Sequence, residues 1–145
     1  MNVLLPIVLT LIAGIGLAAQ PPTNAALARL SGSTILAALL SFLVGTAVLA
    51  AIWLASDRTP PSTLRGAPWW AWLGGFYGAF FVTAVAYAAP RLGVASMLTL
   101  AIASQLAAAL VLDHFGLLGV RAEPVSASRL IGLGLVIGGV LLVRL

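Results

Sequence analysis

Residues 68–119, PWWAWLGGFYGAFFVTAVAYAAPRLGVASMLTLAIASQLAAALVLDHFGLLG, decide the fold. Their composition predicts two apolar helices, over 68–89 and 93–112, joined at Ala89-Pro90-Arg91-Leu92-Gly93. At about 20 residues each helix is about 30 Å long, enough to cross the hydrocarbon core of a bilayer, so the pair reads as a transmembrane hairpin. Pro68 suits a first helical turn, where its missing N–H costs nothing. Trp69, Trp70 and Trp72 have the amphipathic rings favoured at headgroup level. Pro90 biases Ala89 away from helical angles, and Gly93 follows, which predicts a tight reversal. Gly74 and Gly78 form a GxxxG step on which another helix can pack closely.

Working outward, the whole chain has the same character. Hydrophobic residues make up 62% and charged residues 7% of its 145 positions. Mean hydropathy is +1.17. A soluble domain has about a quarter of its residues charged, so the composition points to a polytopic membrane protein. The length predicts a single transmembrane domain over 1–145 with no appended soluble domain. The net charge of +4 comes from arginines at or near predicted helix ends, which reflects membrane boundaries rather than a nucleic-acid partner. There is no cysteine, hence neither a disulfide framework nor a thiolate metal site.

Toward the N-terminus, residues 3–19 are apolar before Gln20-Pro21-Pro22-Thr23-Asn24 interrupts. Leu17-Ala18-Ala19 loosely resembles a signal-peptide cleavage site, but the segment before it carries no Lys or Arg. The preferred reading is one helix over 3–28, bent at the prolines because each removes a hydrogen bond to the carbonyl four residues back. Ser31-Gly32-Ser33 can end that helix and cap a second over 34–55, closed by Trp53 at an interface. Residues 56–67 are a polar loop and 113–127 a second one, after which Ser126 or Ser128 can cap a fifth helix over 128–144. The expectation is therefore all-α: a polytopic transmembrane helix bundle of five spans.

With five spans the arginines sort by side. Arg58, Arg65, Arg121 and Arg129 fall on the side of the N-terminus, and Arg29, Arg91 and Arg144 on the other. Orientation follows Lys/Arg bias, and four against three is almost no bias. Two copies in opposite orientations would give ten spans related by a pseudo-two-fold axis in the membrane plane, the inverted repeat that many transporters carry within one chain. The alternative is one orientation for every chain, set by small differences or by a partner.

The run Pro68-Trp69-Trp70-Ala71-Trp72-Leu73-Gly74-Gly75-Phe76-Tyr77-Gly78, the turn Ala89-Pro90-Arg91-Leu92-Gly93, the closing Leu112-Asp113-His114-Phe115-Gly116 and the early Gln20…Asn24 resemble the YdcZ-like family, a five-span branch of the drug/metabolite transporter superfamily. The resemblance covers nearly the whole chain. It implies a multi-pass protein of the bacterial inner membrane with half of a ten-helix inverted-repeat transporter fold. It supplies no substrate and no catalytic residues. Small multidrug transporters of the superfamily place a glutamate in the first helix as a shared proton and cation site. Here Gly14, Gly16 and Gln20 occupy that stretch, so a neutral or zwitterionic solute, or an anion met by helix N-termini, is easier to accommodate.

Candidate site residues follow from physics. Gln20 and Asn24 are four apart, so they share a helix face, beside carbonyls that the prolines leave without donors. They are candidate substrate-binding residues facing a cavity, against the alternative of structural hydrogen-bonding glue. Gln105, near the middle of the fourth span, has the same two readings. Trp72 and Tyr77 can hold a flat or cationic solute through π contacts, or serve as belt and packing. Asp113 and His114, the adjacent acid and histidine at a span end, are candidates for proton coupling beside the alternative of a solvated helix terminus. Gly74, Gly78, Gly134 and Gly138 are candidate helix-packing positions, the last two at a dimer seam.

Three function classes remain. The first is a small-solute transporter, an exporter by alternating access as an antiparallel homodimer. The second is a non-transporting membrane assembly or accessory subunit. The third, a membrane enzyme, lacks a nucleophile–base pair, a metal-ligand cluster and a phosphate loop, so the sequence predicts no catalytic residue, no metal and no cofactor.

Overall fold

In the computed structural model, which describes residues 3–144, the order is α1 (Leu4–Ser31), α2 (Thr34–Ile52), α3 (Leu73–Leu92), α4 (Val94–Phe115) and α5 (Ala127–Arg144). Among the described residues there is no strand. Met1, Asn2 and Leu145 of the expected 1–145 domain lie outside the described residues. Four helical stretches are long and apolar enough to cross a membrane: Leu4–Ser31, Thr34–Asp57, Trp69–Leu92 and Val94–Phe115. The fifth helix, α5, has 18 residues. At 1.5 Å per residue that is about 27 Å, close to the thickness of a hydrocarbon core. The chain divides into two compact units, Met1–Pro90 and Arg91–Leu145.

In the first unit α1 and α2 pack along each other. Their link is short because Gly32 takes a left-handed φ of 70° to end α1, while Ser33 caps α2, its hydroxyl accepting from Leu36 N–H at 3.1 Å. The buried residues of α1 are Pro21, Asn24 and Ala25, which share a face. Those of α2 are Ala37 and Ala38, small side chains that allow close backbone approach. On α3, Val82, Val85, Ala86 and Ala89 form a buried stripe at helical spacing.

Local chemistry moves several helix ends from their expected places, and α4 closes at Phe115, where Gly116 turns left-handed, rather than at 112. α1 continues to Ser31 through both prolines, because a proline's fixed φ is itself helical and the buried face around Pro21 holds the segment in place. α3 likewise runs through Pro90 to Leu92, its burial continuing as far as Ala89. The helical path stops instead at Gly93, at φ 79°. α2 widens after Ile52 into a π-turn over Trp53–Asp57, stopped by Arg58 at φ 54°. The Arg58 N–H donates to the Trp53 carbonyl at 2.8 Å, and the Trp53 indole N–H donates to the Thr59 carbonyl at 3.1 Å. Pro68 precedes a 3₁₀ turn, Trp69–Trp72, rather than opening α3 itself.

In the second unit α4 packs on α5, and Met97, Leu110 and Val140 are buried. The cap of α5 is Ser126, whose hydroxyl accepts from Arg129 N–H at 3.3 Å. Elsewhere the apolar surface is outward: Leu11, Ile15, Leu49, Phe80, Leu135 and Leu142 are all exposed. Such surface is stable only where lipid or another chain covers it.

Candidate functional site

The second half of α1 is the most unusual polar segment of the first unit. Pro21 and Pro22 have no N–H, so the carbonyls of Leu17 and Ala18 lose the donors that a regular helix would give them. The Thr23 hydroxyl turns back onto its own helix, donating to Ala19 O at 3.2 Å and Gln20 O at 2.7 Å. Gln20 is half-buried, whereas Asn24 is only 3% exposed. The helix therefore puts both amides on one side, with Gln20 at the rim and Asn24 inside. The Asn24 amide nitrogen has no hydrogen-bond partner.

The aromatic candidates lie differently. Trp72 and Tyr77 are 62% and 54% exposed, and the Tyr77 ring meets Phe76 edge to face at 6.2 Å. Gly78 lies under the Phe42 ring of α2: a Cβ there would stand 3.2 Å from the ring tip. Gly74 has open space around it.

In the second unit Gln105 is exposed on α4. Asp113 and His114, at the end of α4, hold the loop that leads to α5. Asp113 pairs with Arg129 at 3.3 Å, and the same guanidinium pairs with Glu123 at 2.6 Å. The Asp113 carbonyl accepts from Glu123 N–H at 2.8 Å. His114 Nδ1 accepts from Val125 N–H at 3.3 Å, and its ring stands edge-on to Phe115. Gly116, at φ 61°, makes the turn under Ala122. The two residues thus form a clasp with Glu123, Val125 and Arg129, a pairing that the sequence does not show. Contacts between residues 10 to 16 positions apart across an irregular loop leave no periodic trace.

Beside the clasp an apolar groove of about 440 Å³ runs between α4 and α5, lined by Ala107, Leu110, Val111, His114, Phe115, Val125, Leu130 and Leu133. Further along α5, Gly134 and Gly138 have nothing within 4 Å of where a Cβ would stand. Among the described residues no three His, Asp or Glu side chains gather as a metal-holding group.

Long apolar helices with polar groups only in short stretches define a multi-pass membrane protein, built as an all-helical transmembrane fold. The chain belongs to the YdcZ family: residues 5–142 match the family model described as "Putative inner membrane exporter, YdcZ". It is also 30% identical, over 146 residues, to "Inner membrane protein YdcZ" of Escherichia coli (strain K12), with 99% of this chain and 98% of that protein covered. No solved structure matches it. The family places the chain among membrane transporters, a class distinct from enzymes.

Proposed function

We propose that the protein exports a small solute by alternating access, as an antiparallel homodimer in which two five-helix chains make a ten-helix inverted repeat. The observation that carries this reading is the α1 segment Gln20–Asn24, where consecutive prolines and two amides interrupt the apolar run of a continuous helix. Irregular hydrogen bonding at membrane depth is tolerated against protein or a water-filled cavity. Gln20 and Asn24 are its substrate-binding residues, with Trp72 and Tyr77 contributing from the same unit, and Gln105 is the candidate contact of the second unit taken by itself. The near balance of arginines across the membrane supports dual topology, and one of the majority side's four, Arg129, is held between two carboxylates. The seam between copies runs along Gly134 and Gly138.

The test has two parts. A single cysteine at Ser62, in the exposed loop after α2, is labelled from each side of the native membrane with an impermeant thiol reagent. About half the molecules should label from each side; labelling from one side only removes the antiparallel dimer. Proteoliposomes are then screened for flux with neutral, zwitterionic and anionic solutes, and Gln20→Ala should abolish flux while leaving assembly intact. A second reading, a non-transporting assembly subunit, is favoured by the open glycine face of α5. Absence of flux together with co-purification of a second membrane protein would select it.

A further inference from the structure

Asn24 has a buried amide nitrogen with no acceptor, in a residue only 3% exposed. The other buried residues of α1 and α2 offer no side-chain acceptor. Pro21 is fully buried, and the buried residues that α2 brings to this unit are Ala37 and Ala38, whose methyl groups cannot accept. The neighbouring Thr23 hydroxyl points back along its own helix, donating to the carbonyls of Ala19 and Gln20. Neither lipid nor a second copy can reach an atom already enclosed within one unit. Only a rearrangement of that unit, or a guest admitted by it, can satisfy this donor.

A buried donor without an acceptor weighs against the conformation that holds it, by roughly 5- to 150-fold in an equilibrium constant. The same helix is weakened one to two turns earlier, where Pro21 and Pro22 leave the Leu17 and Ala18 carbonyls without helical donors. Strain and hinge therefore lie side by side on α1. We propose that Asn24 is the gate of a binding site that is closed in this conformation: α1 swings at Leu17–Pro22, the Asn24 amide becomes accessible, and it donates to an oxygen acceptor on the solute. The solute class is one bearing a carbonyl, carboxylate or hydroxyl oxygen, and a bare organic cation cannot satisfy it. The identity of the guest rests on the transport reading above, whereas the strained closed state does not.

The experiment uses the full chain purified in detergent without added solute. Asn24→Leu keeps the branching and number of side-chain heavy atoms but removes the donor. A cysteine at Ala25, 4% exposed, reports opening, since the native chain has no cysteine to interfere. Asn24→Leu should slow labelling of that cysteine by roughly 5- to 150-fold, the factor the orphaned donor contributes. It should also raise the unfolding midpoint of the cysteine-free protein, a measurement that needs no reporter residue. Unchanged or faster labelling, a lowered midpoint, or failure of Asn24→Leu to accumulate would each mean that the amide does not weigh against the closed state, and would overturn the proposal. In the flux assay Asn24→Leu should lose transport of oxygen-bearing solutes. Loss of closed-state strain with no flux in the wild type would sink the transport reading alone. Wild-type flux with no change in labelling or midpoint on Asn24→Leu would sink this inference alone.

Discussion

Gly116→Ala should destabilise the protein clearly more than Gly32→Ala, and the difference can be worked out from the backbone. Both glycines end a helix in the left-handed region, at φ 61° and 70°. A left-handed conformation costs a residue with a Cβ roughly 1–2 kcal/mol. For Gly32 that is the whole penalty, because nothing lies within 4 Å of the added methyl. For Gly116 the methyl would meet Ala122 Cβ at 3.1 Å and both Ala122 Cα and Ala122 N at 3.4 Å. What must move is therefore backbone, not the tip of a flexible side chain. The adjoining Glu123 N–H holds the Asp113 carbonyl at 2.8 Å, so the displacement also lengthens that hydrogen bond. Losing it adds about 1 kcal/mol, bringing Gly116→Ala to roughly 2–3 kcal/mol. Reversible unfolding in detergent of Gly116→Ala, Ala122→Gly and the double variant should give a favourable coupling of about 1 kcal/mol. Equal losses for Gly116→Ala and Gly32→Ala, or a coupling near zero, would refute the reasoning.

Three further outcomes are expected. Gly78→Ala should cost less than about 1 kcal/mol, because it meets the free tip of the Phe42 ring, whereas Gly78→Leu should cost about 1–3 kcal/mol and be rescued in part by Phe42→Ala, read as unfolding midpoints. A double-mutant cycle of Asp113→Asn with Arg129→Gln should give a coupling of at most about 1 kcal/mol that shrinks in high salt, since both side chains are more than a third exposed. On the proposed homodimer, Gly138→Leu should shift the purified protein toward monomer in light scattering, and an unchanged mass would place the proposed seam elsewhere.

The helices were legible because nearly every residue of each span is apolar, and only the lengths of such runs had to be read. Their ends were less so. Pro90 looks like a stop, yet burial of Ala86 and Ala89 carries α3 past it. Trp53 looks like the close of a regular span, yet its indole bond to Thr59 comes with a widened turn. At the candidate site the spacing of Gln20 and Asn24 showed their common face. It did not show that one amide would be enclosed without a partner, since burial depends on the residues that another helix contributes. The Asp113 and Arg129 pair was hidden for a different reason: it is closed by two glycines and Leu118 at positive φ, which set loop direction and have no hydropathy signal.

The link between α1 and α2 has a consequence for how the chain is made. Only Gly32 and Ser33 separate the two helices, and two extended residues reach about 7 Å, far short of a bilayer. The joined ends must stay on one face, so neither helix can reverse without the other. A nascent chain therefore settles the direction of its first two spans in a single event during synthesis. Substitutions that bias that event, such as Arg29 against Arg58 and Arg65, should act on the pair and not on either span separately.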